Sequence, residues 1–436
     1  MRNRLIILIL FLILLSQLNF RNYMNIYEII YFNYLLFLNS QAGFSDLNKK
    51  GVYLLNSLTN DPLLIKNHKL LEKKYKKYII TYISTQKHIY ILDINLAKQI
   101  LLDSPELFSA GNLKEDFFKN FMPYNLGISK CPNKNKCPWK KRRIFNEKVL
   151  GTENINDFYK CINNIVKKNL IQKPKNVKEF RELALSIVSD TIYGNQESKN
   201  ILKEFIKINK TDIFKTDFYQ KYIRDLNNSY SKAPKCSLLY YANKYKNDNL
   251  QIINDQIPHW FGPFYFIISY LIPNLLCIIL NNNNIYNRIN SEIKNKNFNL
   301  FSNNSYLHFV IIEHIRLFNT ININIPRTVN KNMNYHELNL KKGDQIFMLF
   351  SSFLRDKKTF YKPNNFIPER WIDKSLEEQN IVFGLGKQIC PSKKITPIYY
   401  KTIIYNLLLK YNYKTVYPEI NLTEIYYINP FEIKFT

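Results

Sequence analysis

Acidic side chains are scarce in this chain. Thirty-four Asp and Glu stand against 62 Lys and Arg in 436 residues, a formal charge of +28. Such an excess draws phosphates, anionic lipid or acidic proteins. The other features of a nucleic-acid binder are missing: there is no zinc-finger spacing, no RNA-binding aromatic box and no basic stripe interleaved with aromatics, so nucleic acid is an unlikely partner. Asn, Lys and Ile are abundant throughout, as in "NNNNIYNRINSEIKNKNFN" (281–299). The charge therefore reads largely as solvated surface set by a chain-wide composition bias. No internal repeat is visible. The 46% hydrophobic content is ample for a large core, which makes the chain globular rather than disordered.

Cysteine is limited to six positions: Cys131, Cys137, Cys161, Cys236, Cys277 and Cys390. An even count is compatible with disulfides in an exported chain. If Cys390 serves as a metal thiolate, five remain, and an odd remainder fits a reducing compartment better. Cys131 and Cys137 are too far apart for a short zinc knuckle and have no neighbouring histidine, so they read as thiols in a loop.

Near the amino terminus "LIILILFLILLSQLNF" (5–20) carries no charge and follows Arg2 and Arg4. Sixteen helical residues span about 24 Å against a hydrocarbon core of about 30 Å. A membrane anchor, a signal peptide and a buried helix all fit; the absence of a small-x-small cleavage pattern weakens the signal peptide, and a single anchor within residues 1–22 is the reading taken. Residues 23–64 then form a membrane-proximal linker. Glu28 interrupts its apolar stretch "YMNIYEIIYFNYLLFL" (23–38).

Further along, "YIITYISTQKHIYILD" (78–93) reads as two strands joined by a polar turn, and "INLAKQILLD" (94–103) has helical spacing. "NVKEFRELALSIVSDTIYG" (176–194) is an amphipathic helix ending at Gly194. Residues 198–250 read as short surface helices. "YFIISYLIPNLLCIIL" (265–280) is apolar all round and predicts a central buried helix, which Pro273 must kink or locally rearrange. "SYLHFVIIEHIRLF" (305–318) predicts another buried helix. "LNLKKGDQIFMLF" (338–350) predicts a hairpin around Gly343, and a last helix is expected directly after Cys390. The balance is mainly α with a minor β subdomain.

Two constellations carry chemistry. In "IVFGLGKQICPSKKI" (381–395), Gly384 and Gly386 allow a sharp turn or close approach to a flat ligand. Pro391 suits the first position of a helix, so Cys390 is expected to cap that helix, where free amides and the dipole favour a thiolate. Such a thiolate can ligate haem iron; a buried structural cysteine is the alternative. Glu313 and Arg316 lie three apart on an apolar helix and share a face. "FIPERW" (366–371) offers Arg370 as a third charge that completes a buried network.

An E-x-x-R helix, a hairpin, F-x-P-E-R-W and then F-x-x-G-x-x-x-C-P, in this order, resemble the cytochrome P450 family. "CPWKKRR" (137–143) matches its W-x-x-x-R helix at Trp139 and Arg143, and "IPRTVNKN" (325–332) its strand with a propionate-binding arginine at Arg327. The resemblance covers roughly residue 65 to the end and implies a cytochrome P450 fold around a buried haem over 65–436. It implies haem b bound through the Cys390 thiolate as axial iron ligand and Phe383 beside the ligand loop. Trp139, Arg143 and Arg327 would hold the haem propionates, chemistry suited to fixed N–H forks. Glu313, Arg316 and Arg370 would be structural.

The sequence departs from the family at three points. Gln388 stands where an Arg or His usually contacts a propionate, and Ser392 where a Gly is usual. The central-helix stretch "IPHWFGPFYFIISYLIPN" (257–274) has no acid, and Ser269 is its only hydroxyl besides tyrosines. The acid–alcohol pair that delivers protons to bound oxygen is therefore absent, leaving water, a substrate hydroxyl or Tyr265 as donors. His259 and Trp260 read as packing at the helix start. The resemblance implies a monooxygenase inserting one oxygen atom into a small apolar substrate. Electrons would come from an NADPH-dependent reductase or a ferredoxin docked on a basic face of Lys140, Lys141, Arg142, Lys387, Lys393 and Lys394. The missing pair favours two alternatives, a haem-thiolate isomerase or dehydratase acting on a hydroperoxide, and a haem-binding relative without catalysis. The expected location is a membrane, with the haem domain facing a reducing cytosol.

Overall fold

The structure is a computed structural model that describes most of residues 69–436; segments 1–68, 111–123, 129–137, 151–154, 208–216, 246–249 and 319–325, with scattered shorter stretches, lie outside the described residues. The expected anchor and linker, Cys131 and Cys137 all fall in these segments.

The first described strands, β1 (Tyr78–Ile83) and β2 (Gln86–Ile91), pair antiparallel from Tyr78↔Ile91 to Ile83↔Gln86, as the alternating aliphatic and aromatic residues predict. Asp93 then accepts from the Leu96 amide at 2.7 Å and starts α1 (Ile94–Leu102). β3 (Phe108–Ser109) follows. Helices α2 (Pro138–Val149), α3 (Ile155–Asn169) and α4 (Val177–Ile192) come next. At α4 the Asn176 side chain caps the Glu179 amide while the Glu179 carboxylate takes the Lys175 amide at 2.8 Å. Gly194, at φ +77°, closes its far end. The short helices α5 (Lys199–Lys207) and α6 (Leu238–Lys244) fall in the stretch read as surface, yet Leu238, Leu239 and Ala242 are fully buried.

The central helix is longer than its apolar core suggests. It runs as α7 (Leu250–Phe266), a π-helical turn (Ile267–Leu271) and α8 (Ile272–Asn281). The π turn answers the question posed by Pro273. A proline removes the donor that the carbonyl four residues back requires, and one widened turn just before it re-registers the ladder, with the Ile272 amide donating to the Ile267 carbonyl. Residues Ile253–Asn281 are long and apolar enough to cross a membrane, but 89% of the most apolar window is buried inside the domain. It is a core helix. α4 packs on the π turn.

α9 (Asn283–Lys294) and α10 (Tyr306–Leu317) precede β4 (Arg327–Val329), β5 (Met333–Tyr335), β6 (Leu338–Leu340) and β7 (Gln345–Met348). The hairpin expected around Gly343 is not formed. β6 pairs with β5, whereas β7 joins the five-stranded sheet β1-β2-β7-β4-β3, parallel to β2 and antiparallel to β4. Gly343, at φ +97°, instead turns the chain from one sheet into the other. α11 (Phe350–Phe353), a 3-10 turn (Pro368–Ile372), α12 (Ser375–Gln379), the cysteine loop and α13 (Thr396–Lys410) complete the helical body, and β8 (Val416–Tyr417) pairs with β9 (Lys434–Phe435). α13 packs on α3 and α10.

Cys161 of α3 and Cys236 are joined in a disulfide with Cα atoms 5.3 Å apart. Among the described residues Cys277 and Cys390 lie outside disulfides.

Candidate functional site

The cysteine loop begins with the 3-10 turn Ile381–Phe383. Gly384 and Gly386 both take left-handed backbone, at φ +78° and +66°. At Gly386 space is limiting too: a Cβ there would lie 2.9 Å from the Leu101 carbonyl oxygen and 3.0 Å from Leu102 Cα. The loop therefore sits directly on the end of α1. The Cys390 amide donates to the Phe383 carbonyl at 2.7 Å and closes the loop. One expectation is corrected here. Pro391 does not open a helix; successive turns occupy 391–395 and α13 starts at Thr396 with Pro397 in its first turn. Cys390 is not a helix cap, and its carbonyl accepts instead from the Lys393 amide at 3.1 Å.

α2 presents Trp139 and Arg143 from its buried face. Arg143 donates through Nε and Nη2 to Glu147, one turn on, at 2.6 Å, and through Nη1 to the carbonyl of Ile389. That carbonyl belongs to the residue immediately before Cys390, so α2 and the cysteine loop are directly joined. Arg327 of β4 is buried; its Nε donates to Ser104 Oγ at 3.2 Å and its Nη1 to the Pro326 carbonyl at 2.9 Å. No carboxylate among the described residues pairs with it, and burial lowers its pKa to about 10. A buried guanidinium without a counter-charge is a site for an anion. Gln388 adds a buried side-chain oxygen with no hydrogen-bond partner among the described residues. Phe383 is half-buried beside the loop.

The charge network is as expected and larger. Arg316 makes a two-pronged contact with Glu313, Nε to Oε2 at 3.0 Å and Nη2 to Oε1 at 2.8 Å, and Arg370 Nε adds a third bond at 3.0 Å. The Ile367 amide and the Trp371 indole N–H, each at 3.0 Å, complete the ring of donors around a carboxylate with no solvent exposure. Burial pushes the Glu313 carboxyl up, but Arg316 and Arg370 outweigh it and hold it below the usual carboxylate range. Arg316 also donates to the carbonyls of Leu354 and Pro363, at 2.7 and 2.8 Å, and Arg370 to that of Tyr361 at 2.9 Å. These bonds fasten the α11–Trp371 segment to α10.

Sequence reasoning missed several residues. Trp371 directly follows Arg370, and nothing in the motif announces that its indole reaches Glu313. Arg355 is buried and donates to the carbonyls of Leu317 and Ile425, both at 2.9 Å; nothing in its local pattern marks it. Trp260, read as plain packing, donates its indole N–H to Asn146 at 2.8 Å. Asn146 in turn donates to Gln256, which accepts from the Leu126 amide and donates to the Tyr124 carbonyl. This buried amide network ties α2 to α7; the signal was Asn146, three residues beyond Arg143 on the same helix face.

On the central helix, Ser269 lies inside the π turn, buried, its hydroxyl without a partner among the described residues. The Tyr265 hydroxyl accepts from Arg181 of α4 at 3.0 Å. The nearest upstream acid, Asp255, is buried and accepts from the Tyr124 amide at 2.5 Å. On the surface Lys140, Lys141, Lys387, Lys393 and Lys394 are exposed and Arg142 is half-buried; Lys387 pairs with Glu106.

A mainly helical domain, a glycine-pinned cysteine loop and a Glu–Arg–Arg core lock define the class of haem-thiolate folds. The comparisons agree. The cytochrome P450 family model matches residues 272–424. Cytochrome P450 85A1 of Solanum lycopersicum is 29% identical over 121 residues, 27% of this chain and 26% of the relative. Probable cytochrome P450 517A1 of Dictyostelium discoideum is 30% identical over 133 residues, 30% of this chain and 27% of the relative. These matches span about a quarter of the relatives' length. A zebrafish cytochrome P450 solved with abiraterone superposes with a TM-score of 0.63 at 12% identity, covering 80% of this chain and 92% of that one. The chain thus has the cytochrome P450 fold and is similar to the cytochrome P450 family over residues 272–424.

Proposed function

We propose that this protein is a haem-thiolate monooxygenase that inserts one oxygen atom into a small apolar substrate. The observation that carries the reading is the pairing of the glycine-pinned Cys390 loop with Arg327, a buried cation lacking an anion among the described residues. A haem offers both complements, an iron for the thiolate and carboxylates for the guanidinium, so the residues fit the group. Cys390 would hold the iron through its thiolate. Arg327, Trp139 and Arg143 would hold the haem propionates, with Gln388 beside them, its amide turned to donate. Phe383 packs beside the ligand loop, and Glu313, Arg316 and Arg370 keep the surrounding core in place.

When bound, such a haem activates oxygen, with the thiolate's electron donation favouring O–O cleavage. The chain's own residues supply the rest. The largely apolar central helix limits the entry of water. Ser269 is the single non-tyrosine hydroxyl of 257–274 and sits in the widened turn, so it is the residue suited to hold a proton-carrying water. Tyr265, whose hydroxyl accepts from Arg181, keeps its own O–H and is the other group able to pass a proton there. Electrons enter from a reductase or ferredoxin at the lysine face. Residues 1–22 anchor the chain in a membrane, 23–64 link and 65–436 form the haem domain.

A second reading is favoured by one observation: Asp255, the nearest acid upstream, is already committed to the Tyr124 amide. A haem-thiolate isomerase or dehydratase acting on a hydroperoxide needs no proton relay. The reduced, carbon-monoxide-bound protein is expected to show a thiolate-type spectrum that Cys390→Ala loses; an imidazole-type spectrum sinks the assignment. Turnover with NADPH and a reductase supports the monooxygenase, and product from a lipid hydroperoxide alone replaces it with the second reading.

A further inference from the structure

The buried stripe of α2 is Trp139, Arg143, Asn146 and Val149, all on one helix face. Only Trp139 and Val149 of that stripe are apolar. Apolar packing is non-directional, so a helix with this little of it needs other contacts to stop it sliding or turning on its neighbours. Asn146 supplies them. It is fully buried, and both its amide hydrogens and its oxygen are engaged. Nδ2 donates to Gln256 Oε1 at 3.1 Å and to the Arg142 carbonyl at 2.9 Å, and Oδ1 accepts from the Trp260 indole at 2.8 Å. Gln256 and Trp260 lie one turn apart on α7, so two points along the central helix grip a single residue of α2. The Gln256 amide is held in its turn, accepting from the Leu126 amide at 3.1 Å and donating to the Tyr124 carbonyl at 2.9 Å.

We propose that Asn146 is the positioning residue for the haem-holding face of α2. Gripped by Gln256 and Trp260, it sets the height and rotation of the helix so that Arg143 and Trp139, one and two turns earlier on the same stripe, meet the haem propionates. This rests on the haem-thiolate reading above. An amide suits the task because it donates and accepts at once. Being neutral, it does not compete with Arg143 for a carboxylate. Buried bonds of this kind are costly to leave unmade, which keeps the helix in one register.

The test compares Trp260→Phe and Asn146→Leu with the parent, as full chains loaded with native haem or with haem whose propionates are esterified. Haem loss to excess apomyoglobin is followed. Native haem is expected to leave Trp260→Phe about tenfold faster than the parent, and Asn146→Leu faster still. Esterified haem offers no carboxylate to Trp139 or Arg143 and is expected to leave parent and variants at one rate. Equal acceleration with both haems shows a general loosening and overturns the proposal, as does unaltered loss of native haem. A second readout needs no haem. In the haem-free protein, amide hydrogen exchange in α2 is expected to quicken in Trp260→Phe, with α4 and α13 amides unchanged; an α2 as protected as the parent's overturns the proposal. Should Asn146→Leu fail to fold, Trp260→Phe, which keeps an aromatic ring in place, decides alone. A parent with no thiolate-type band in the reduced carbon monoxide spectrum overturns the haem-thiolate reading, and this proposal falls with it. A parent that shows the band, with variants that lose both haems alike, overturns the proposal alone.

Discussion

Replacing Arg316 by alanine tests the core lock. Four hydrogen bonds disappear: two to Glu313 and one each to the Leu354 and Pro363 carbonyls. Breaking a buried ion pair from one side costs about 3–5 kcal/mol, because the remaining charge stays buried. Here Arg370, Trp371 and the Ile367 amide still reach Glu313, which places the loss near 3 kcal/mol. Each stranded carbonyl adds about 1 kcal/mol. The sum, about 5 kcal/mol, equals the lower end of the usual range of native stability. Arg316→Ala should therefore be recovered as insoluble or haem-free protein, or unfold at much lower urea than the parent. Arg316→Lys, which keeps a charge but offers no planar fork, should be intermediate. A variant within about 1 kcal/mol of the parent in urea unfolding, with normal haem uptake, would refute the reasoning.

The two loop glycines separate conformation from space. Gly386→Ala meets both a left-handed backbone and backbone atoms at 2.9 and 3.0 Å, and should cost about 2–5 kcal/mol; Gly384→Ala, with nothing closer than 3.9 Å, should cost only about 1–2 kcal/mol. Equal urea midpoints for the pair would show that α1 yields freely. Burial lowers His308 and His314 to about 3. Both groups are neutral in folded and unfolded chains above pH 6.5, so no stability changes there. Below 6.5 the unfolded chain alone takes up protons, and each histidine lowers stability by about 1.4 kcal/mol per pH unit down to about pH 3. Urea midpoints should fall between pH 7 and 5, and His308→Gln should flatten that slope; an unchanged slope would contradict its burial as neutral imidazole. The lowered Glu313 carboxyl acts in a more acidic window, its stabilisation complete above about pH 4.5 and lost as pH falls through its folded value. Trp371→Phe removes one donor from the same carboxylate and should cost about 1–3 kcal/mol in urea unfolding.

What the sequence could show depended on how local the determining physics was. Strands β1 and β2, helix α4 and helix α10 are set by side-chain periodicity and caps within a few residues, and they were legible. Gly343 marked a turn but not its partner strands. Pairing of β7 with β2 joins residues more than 250 positions apart, and no local pattern encodes that choice. Pro273 required an adjustment of the central helix, but the π turn follows only once α4 and α13 press on both sides. The triad Glu313, Arg316 and Arg370 could be read because burial forces charges to pair, whereas Arg355 and the Asn146–Gln256–Trp260 network pair through backbone and amide groups that leave no charge signature. The loop of Cys390 is the sharpest case. Its glycines and cysteine announced a constrained turn, and the turn is there. The expected helix cap is not, because residues 391–395 wind through turns before α13 begins. The loop is closed instead by the Cys390 amide's bond to the Phe383 carbonyl and touched by Arg143 from a helix nearly 250 residues earlier, a contact that spacing alone could never have disclosed.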